Sequence, residues 1–216
     1  MEEPQGPTVS PGGAEPSATF LPSLEEWARS TAGRLLAELP RRWAHSQGVA
    51  RKAEDVALAL EPADRPMLIA AAWLHDIGYA AVLRKCGLHP LDGARYLAAL
   101  GVPGRVCGLV AHHSGAASVA ALMGLGHQLA EFPDERGPVR DALWYCDLTT
   151  SPDGLPVSLR TRTVELCARR GPDDPVVRAL ADNGAERAGA VRRTESLLCP
   201  VLSGQNRDSG HGRRNG

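Results

Sequence analysis

The chain has almost no lysine. Lys52 and Lys85 are its two, and arginine makes up the rest of the 24 basic residues. These stand against 25 acidic residues, for a formal net charge of −1. No basic surface calls for nucleic acid, and no polybasic helix calls for a membrane. No apolar run approaches the roughly 20 residues a spanning helix needs. The opening Met-Glu-Glu-Pro lacks a charged-then-apolar signal pattern, so the expected location is cytoplasmic. The five cysteines (Cys86, Cys107, Cys146, Cys167, Cys199) include no C-x-x-C pair and are odd in number. That argues for buried or half-buried reduced thiols and against a disulfide or zinc framework. No convincing alternating strand and no internal repeat is present.

What remains is a succession of helical segments punctuated by Gly and Pro, which predicts an all-α fold with one core. Residues 1–20, rich in Pro, Gly and Ser, and residues 200–216 are expected to be disordered tails around a single domain at 21–199. Ser23 with Glu26 three residues on is a capping-box pattern for a helix from Leu24 to Leu39, which Pro40 stops. Arg41 to Leu60 predicts a second helix, with His45 one turn before Val49 on its apolar face. Asp64 and Pro66 open a third, which ends in His75-Asp76 with Gly78 beyond. His89-Pro90 opens a fourth through Leu100; a fifth follows Pro103 and carries Val106 to His113. A small helix or loop is expected over 117–136, then a helix from Pro138 through Asp147. Pro156 to Ala168 and Pro175 to Leu197 complete the domain, the last capped by Asp173 or Asp174 and broken near Gly184.

The informative residues are the histidines. His75-Asp76 closes the apolar run Met67 to Leu74, and burying two ionisable groups there costs several kcal/mol unless something pairs with them. A divalent metal satisfies an imidazole and a carboxylate together. His45, His89, His113 and Asp147 each lie in, or at an end of, a different helix, so their side chains can converge inside a bundle. Such a donor set suits Mn, Fe, Co, Ni or Zn, with Mg tolerated where carboxylates dominate. Asp76 could bridge two ions about 3.5–4 Å apart. His127, in a Gly-rich stretch, and His211, near the C-terminus, are expected to be solvated.

The combination His45 … His75-Asp76 … Asp147, with the run His75-Asp76-Ile77-Gly78, resembles the HD superfamily of metal-dependent phosphohydrolases over roughly residues 41–150. The resemblance implies an HD-domain helical bundle with a buried metal at His45, His75, Asp76 and Asp147. His89-Pro-Leu-Asp-Gly-Ala, Leu109-Val-Ala-His-His-Ser and Trp144-Tyr-Cys-Asp147 are similar to the subset with two metals. Similar patterning occurs in bacterial diadenosine tetraphosphate hydrolases that cleave symmetrically. Carried over, His89 and His113 would hold a second ion, with Asp76 bridging and His112 a ligand or an orienting donor. Tyr79 stands where the family often has a basic residue, and no Gly-Tyr-Pro follows His112-His113, which sets the chain apart from the cyclic-dinucleotide phosphodiesterases.

The chemistry this implies is hydrolysis of a phosphoester or phosphoanhydride in a small phosphorylated substrate, a nucleotide foremost. A bound divalent ion (Mn, Fe, Mg, Co or Ni, one or two per chain) lowers the pKa of water to about 7 and makes hydroxide available. Arg42, Arg84, Lys85 and Arg95 are candidates for a cationic clamp on the phosphoryl oxygens, and His112 for the acid that protonates the leaving oxygen. Two alternatives use the same ligands: a di-iron oxygenase, which His113-Ser114 resembles locally, and a nucleotide-sensing module without turnover. No feature specifies an oligomeric state, although an exposed helix within 157–198 offers a dimer face.

Overall fold

The computed structural model describes residues 22–208, with side chains placed through residue 199, and these residues form helices and no strand. Helix α1 spans Leu24–Leu35 and starts on the expected capping box. The Ser23 hydroxyl accepts from the Glu26 amide at 3.2 Å, while the Glu26 carboxylate accepts from the Ser23 amide at 2.9 Å. It ends at Leu35 rather than Leu39 because the chain must reverse before Pro40, and a residue preceding proline avoids helical backbone. Pro40 does more than stop α1: it is the first residue of α2, Pro40–Ala57, where its missing amide would have had no partner anyway.

Helix α3, Arg65–Leu74, is apolar on nearly every side, and such a helix is stable only inside a core. Leu68, Ala70, Ala71, Ala72 and Leu74 are fully buried, and α1, α2, Gly104–Ala111 (α5) and Pro138–Leu148 (α8) all pack around it. Its end therefore lies at the centre of the molecule, which places His75-Asp76 there. Asp64 precedes α3 without capping it; its carboxylate instead accepts from Arg105 at 2.6 Å. A 3-10 turn at Ile77–Tyr79 leads on to α4, His89–Ala99, which packs against α5. The segment expected as a small helix or loop forms α6, Ala116–Leu122, and α7, Gly126–Leu129.

After α8 come α9, Leu159–Arg170, and α10, Pro175–Arg178, the latter capped by Asp174 on the Val176 amide at 2.8 Å. Helix α11, Leu180–Asp208, begins after Ala179, so the interruption falls there and Gly184 sits within a continuous helix. The backbone of α11 also crosses the tail boundary expected at residue 200. The tail expected at 1–20 lies outside the described residues, as does His211. Helix α11 lies along α8, where Trp144, Leu148, Ala190 and Val191 form a second small core. A fork from Arg193 onto both Asp141 oxygens (2.6 and 2.9 Å) and an Arg140–Glu186 pair at 2.8 Å fix its rotation. Cys107 and Cys146 are buried and Cys86 and Cys167 half-buried, all as free thiols; Cys199 is exposed. No described helix is long and apolar enough to cross a membrane.

Gly78 explains how the 3-10 turn and α4 come so close. A Cβ there would lie 2.0 Å from the His89 carbonyl oxygen and 2.8 Å from the Gly93 amide. Backbone touches backbone, so a methyl group has nowhere to go without moving His89. Gly78→Ala is expected to cost about 3 kcal/mol by overpacking, read as a lower urea midpoint. Gly184→Ala meets open space in a helix interior and is expected to gain roughly 0.5–1 kcal/mol in the same assay.

Candidate metal centre

Four histidines and two aspartates from five helical segments meet at the end of α3. His45 lies in α2, His75 and Asp76 follow α3, His89 is the first residue of α4, His113 follows α5, and Asp147 is near the end of α8. Three of the imidazoles are tied at Nδ1 to backbone carbonyls: His45 to Ser151 at 3.0 Å, His75 to Ala72 at 2.8 Å, His113 to Val110 at 2.7 Å. A carbonyl only accepts, so each Nδ1 carries the hydrogen and each Nε2 is left with a lone pair. All three Nε2 atoms, and that of His89, face inward. The loop beyond α8 reaches His45 because Gly48 admits it: a Cβ on Gly48 would meet the Gly154 carbonyl at 2.4 Å.

The inward atoms oppose one another. His45 Nε2 lies 2.9 Å from Asp147 Oδ1, and His89 Nε2 lies 3.1 Å from His113 Nε2. The His45 lone pair against the Asp147 carboxylate is repulsive at such a distance unless a positive centre stands between, and the His113 lone pair facing His89 calls for a proton or an ion between them. His75 Nε2 is buried and has no hydrogen-bond partner among the described residues. Asp76 divides its two oxygens: Oδ2 lies 3.6 Å from His75 and 4.0 Å from His45, while Oδ1 lies 3.2 Å from His89 and 3.9 Å from His113. Two donors each about 2.1 Å from one ion lie about 3 Å apart at right angles and about 4.2 Å apart in line. The observed separations fall in that interval. Two ion-sized sets result, His45–His75–Asp76 and Asp76–His89–His113, sharing Asp76. Asp147 joins the first through His45 and lies 4.0 Å from His75. The residues fit a two-ion centre with a bridging carboxylate.

The charge balance agrees. Burial disfavours the protonated imidazole and lowers His75 and His89 to about 4, leaving both neutral ligands near pH 7. Burial opposes ionisation of Asp76 too, but Arg42, whose Nη1 donates to Oδ2 at 2.8 Å, holds this carboxyl well below its usual range. Burial opposes ionisation of Asp147 as well, but the imidazoles around it, His45 foremost, hold its carboxyl well below the usual range. Neutral imidazoles and ionised carboxylates are the forms a divalent ion binds.

The structure brings together His45, His75, Asp76, His89, His113 and Asp147, the full ligand set expected from sequence. It does not bring His112. Neighbouring residues near a helix end point about 100° apart, and His112 Nε2 turns to the Phe132 carbonyl at 2.8 Å, away from the cluster. Its expected role as acid or ligand is therefore withdrawn. Lys85 is exposed and lines no part of the cavity beside the cluster, so its catalytic role is withdrawn as well. Arg84 is exposed on the Tyr79 carbonyl, and Arg95 is spent on Gln128 and Glu131. Of the four expected clamp residues, Arg42 reaches the site. His127 is exposed, as expected.

Tyr79 and Ser114 take parts at the site that the sequence had not assigned them. Tyr79 stacks on His89 with ring centres 3.9 Å apart, Arg42 covers its other surroundings at 4.0 Å, and Arg170 donates to its hydroxyl at 2.9 Å. Two arginines from other helices thus stand around the position where the family often has a basic residue. Ser114, held in left-handed backbone (φ 50°), donates its hydroxyl to Asp147 Oδ2. The cluster opens into a cavity of about 250 Å³ whose far wall comes from α9 and α11. A serine between a ligand histidine and a glycine was a readable cue; the distant arginines offered none by motif.

A sequence model of the family described as HD domain matches residues 42–166, more than half of the chain, and the chain belongs to that family. No curated protein and no solved structure matches it.

Metal analysis should separate the two sets. His89→Ala is expected to lower bound Mn or Fe from about two ions per chain to about one, and His112→Ala to leave it at about two. In chelator-treated protein the unfolded chain binds more protons than the folded one between about pH 6.5 and the lowered value of about 4 for His75 and His89. Stability is thus greatest above about pH 6.5 and falls as pH drops through that interval, by roughly 2 kcal/mol or more. Urea midpoints across the range check it; a flat profile contradicts neutral buried imidazoles.

Proposed function

We propose that the chain is a metal-dependent phosphohydrolase acting on a phosphoester or phosphoanhydride of a small molecule, with nucleotides the foremost class. The observation that carries this reading is Asp76 shared between two histidine sets, at the mouth of a cavity lined by arginines. A divalent ion at such a centre supplies Lewis acidity and draws a nucleophile from water near neutral pH.

The chain's own residues do the rest. The carbonyls of Ser151, Ala72 and Val110 lock the imidazole orientation, so the centre needs no rearrangement to receive its ions. Arg42 serves two ends: it keeps Asp76 ionised and projects a permanent positive charge into the cavity, where phosphoryl oxygens would gather charge in the transition state. Tyr79 carries the His89 ring on its face and limits how that ligand can turn. Leu88, Val119 and Leu166 give the cavity an apolar share, room for the non-phosphate part of a nucleotide.

A panel of phosphomonoesters, nucleotides and dinucleotides, supplied with Mn or Fe, tests the reading. Metal-dependent release of phosphate or nucleotide is expected. Asp76→Asn should lower kcat by about 10²-fold or more, with Lys85→Ala within about twofold of wild type. Protein carrying two ions yet inert on the panel would reject hydrolysis, and oxygen uptake by the iron form would assign the centre to oxygenase chemistry.

A further inference from the structure

Five arginines line the cavity: Arg42, Arg162, Arg169, Arg170 and Arg187. Four have carboxylate partners. Arg42 is held by Asp76, Arg170 by Asp174 at 2.9 Å, and Arg162 and Arg169 share the single carboxylate of Glu165 at 2.5 and 2.6 Å. Arg187 has no hydrogen bond and no ion pair among the described residues, although it is only 5% exposed. Its neighbours on α11, Asn183 one turn earlier and Ala190 and Val191 one turn later, are buried with it. Asn183 donates to the Gly115 carbonyl at 3.0 Å and so fixes this face of the helix against the turn that carries His113 and Ser114.

A guanidinium offers five donors and cannot shed its charge, so sinking one almost wholly into the protein with its nitrogens unpaired toward a cavity is a costly choice. Asp147 attracts it and Arg162 repels it, and burial outweighs the attraction. With divalent ions at the centre, the Asp147 charge would be engaged by them, and Arg187 would face a positive site. Only an anion then satisfies both. Arg162 and Arg169, two cations on one carboxylate, leave a further unbalanced charge on the same wall. Arg169, Arg170 and Arg187 lie beyond the 42–166 match, so this wall belongs to the chain's own C-terminal helices.

We propose that Arg187, with Arg162 and Arg169, forms a second anion subsite opposite the metal centre, and that the substrate is an oligophosphate, its reacting phosphoryl at the centre and a further phosphate on Arg187. The proposal rests on the phosphohydrolase reading and narrows it from phosphate esters in general to phosphoanhydrides. Arg187 is here a specificity-determining residue, holding a group that does not react.

The experiment uses the full chain loaded with Mn, and inorganic pyrophosphate and orthophosphate as probes in titration calorimetry. Wild type is expected to bind pyrophosphate at least about tenfold more tightly than orthophosphate. Arg187→Met should erase that preference by weakening pyrophosphate alone, while metal content stays at wild-type level. The same variant, relieved of a buried charge, should melt at a higher temperature without ligand and lose the rise that pyrophosphate gives wild type; a purely structural arginine would do the reverse. Arg187→Lys, which keeps the charge but not the fork, should retain part of the preference and covers the case in which the methionine variant fails to fold. Equal binding of the two probes by wild type, or an unchanged preference in Arg187→Met, overturns the subsite and leaves the hydrolase reading standing. Failure of the loaded wild type to bind either probe overturns both.

Discussion

Everything in this molecule depends on keeping unlike ionisable groups together in a place without water. His45, His75, Asp76, His113 and Asp147 are each less than one-tenth exposed, and His89 is half-buried. Removing one ionised group from water costs several kcal/mol after relaxation, so the cluster is tolerable only if each group is neutral, paired or ligated. The fold supplies the first two conditions through burial of the imidazoles and through Arg42 on Asp76. A cation would supply the third, and the inward Nε2 atoms facing the Asp76 and Asp147 carboxylates mark where it would sit.

The bundle can be understood as a device for that convergence. The most apolar helix, α3, is driven to the centre by its own composition and carries His75-Asp76 with it. Small residues then let backbones meet: Gly48 under the loop after α8, Gly78 under the start of α4. Each close approach positions one ligand, His45 through the Ser151 carbonyl and His89 through the first turn of α4. Packing and coordination are set by the same contacts, so changes that loosen one loosen the other.

How much of this could be seen in the sequence depended on the kind of residue. His45, His89 and Asp147 stood out because titratable side chains on apolar helical stripes are costly and therefore meaningful. His113 was told from His112 by the family resemblance rather than by the pattern itself, since which of two adjacent residues faces inward is decided by where the helix ends, here at Ala111. Lys85, Arg84 and Arg95, candidates for the clamp, lie close to ligands along the chain, yet such a charge points wherever its own turn directs it. The arginines of α9 and α11 went unseen for the opposite reason. In an arginine-rich chain they look like solvated faces, and Arg187 differs only in sharing a stripe with Asn183, Ala190 and Thr194. The break expected near Gly184 followed from glycine's low helix propensity, which tertiary packing along α8 overrides.

The site is also built from two stretches of chain with separate duties. Its inorganic half is set by segments between α2 and α8, its outer wall by α9, α10 and α11. The two are joined along α8 by the small second core and by the Arg193–Asp141 and Arg140–Glu186 pairs, and face each other across the cavity, where Asn183 on Gly115 and Arg170 on Tyr79 tie them at the site. Such a division lets the cavity-facing positions of the C-terminal arm be re-lettered, changing what the cavity can admit, while the histidine–aspartate cluster beneath is left as it was.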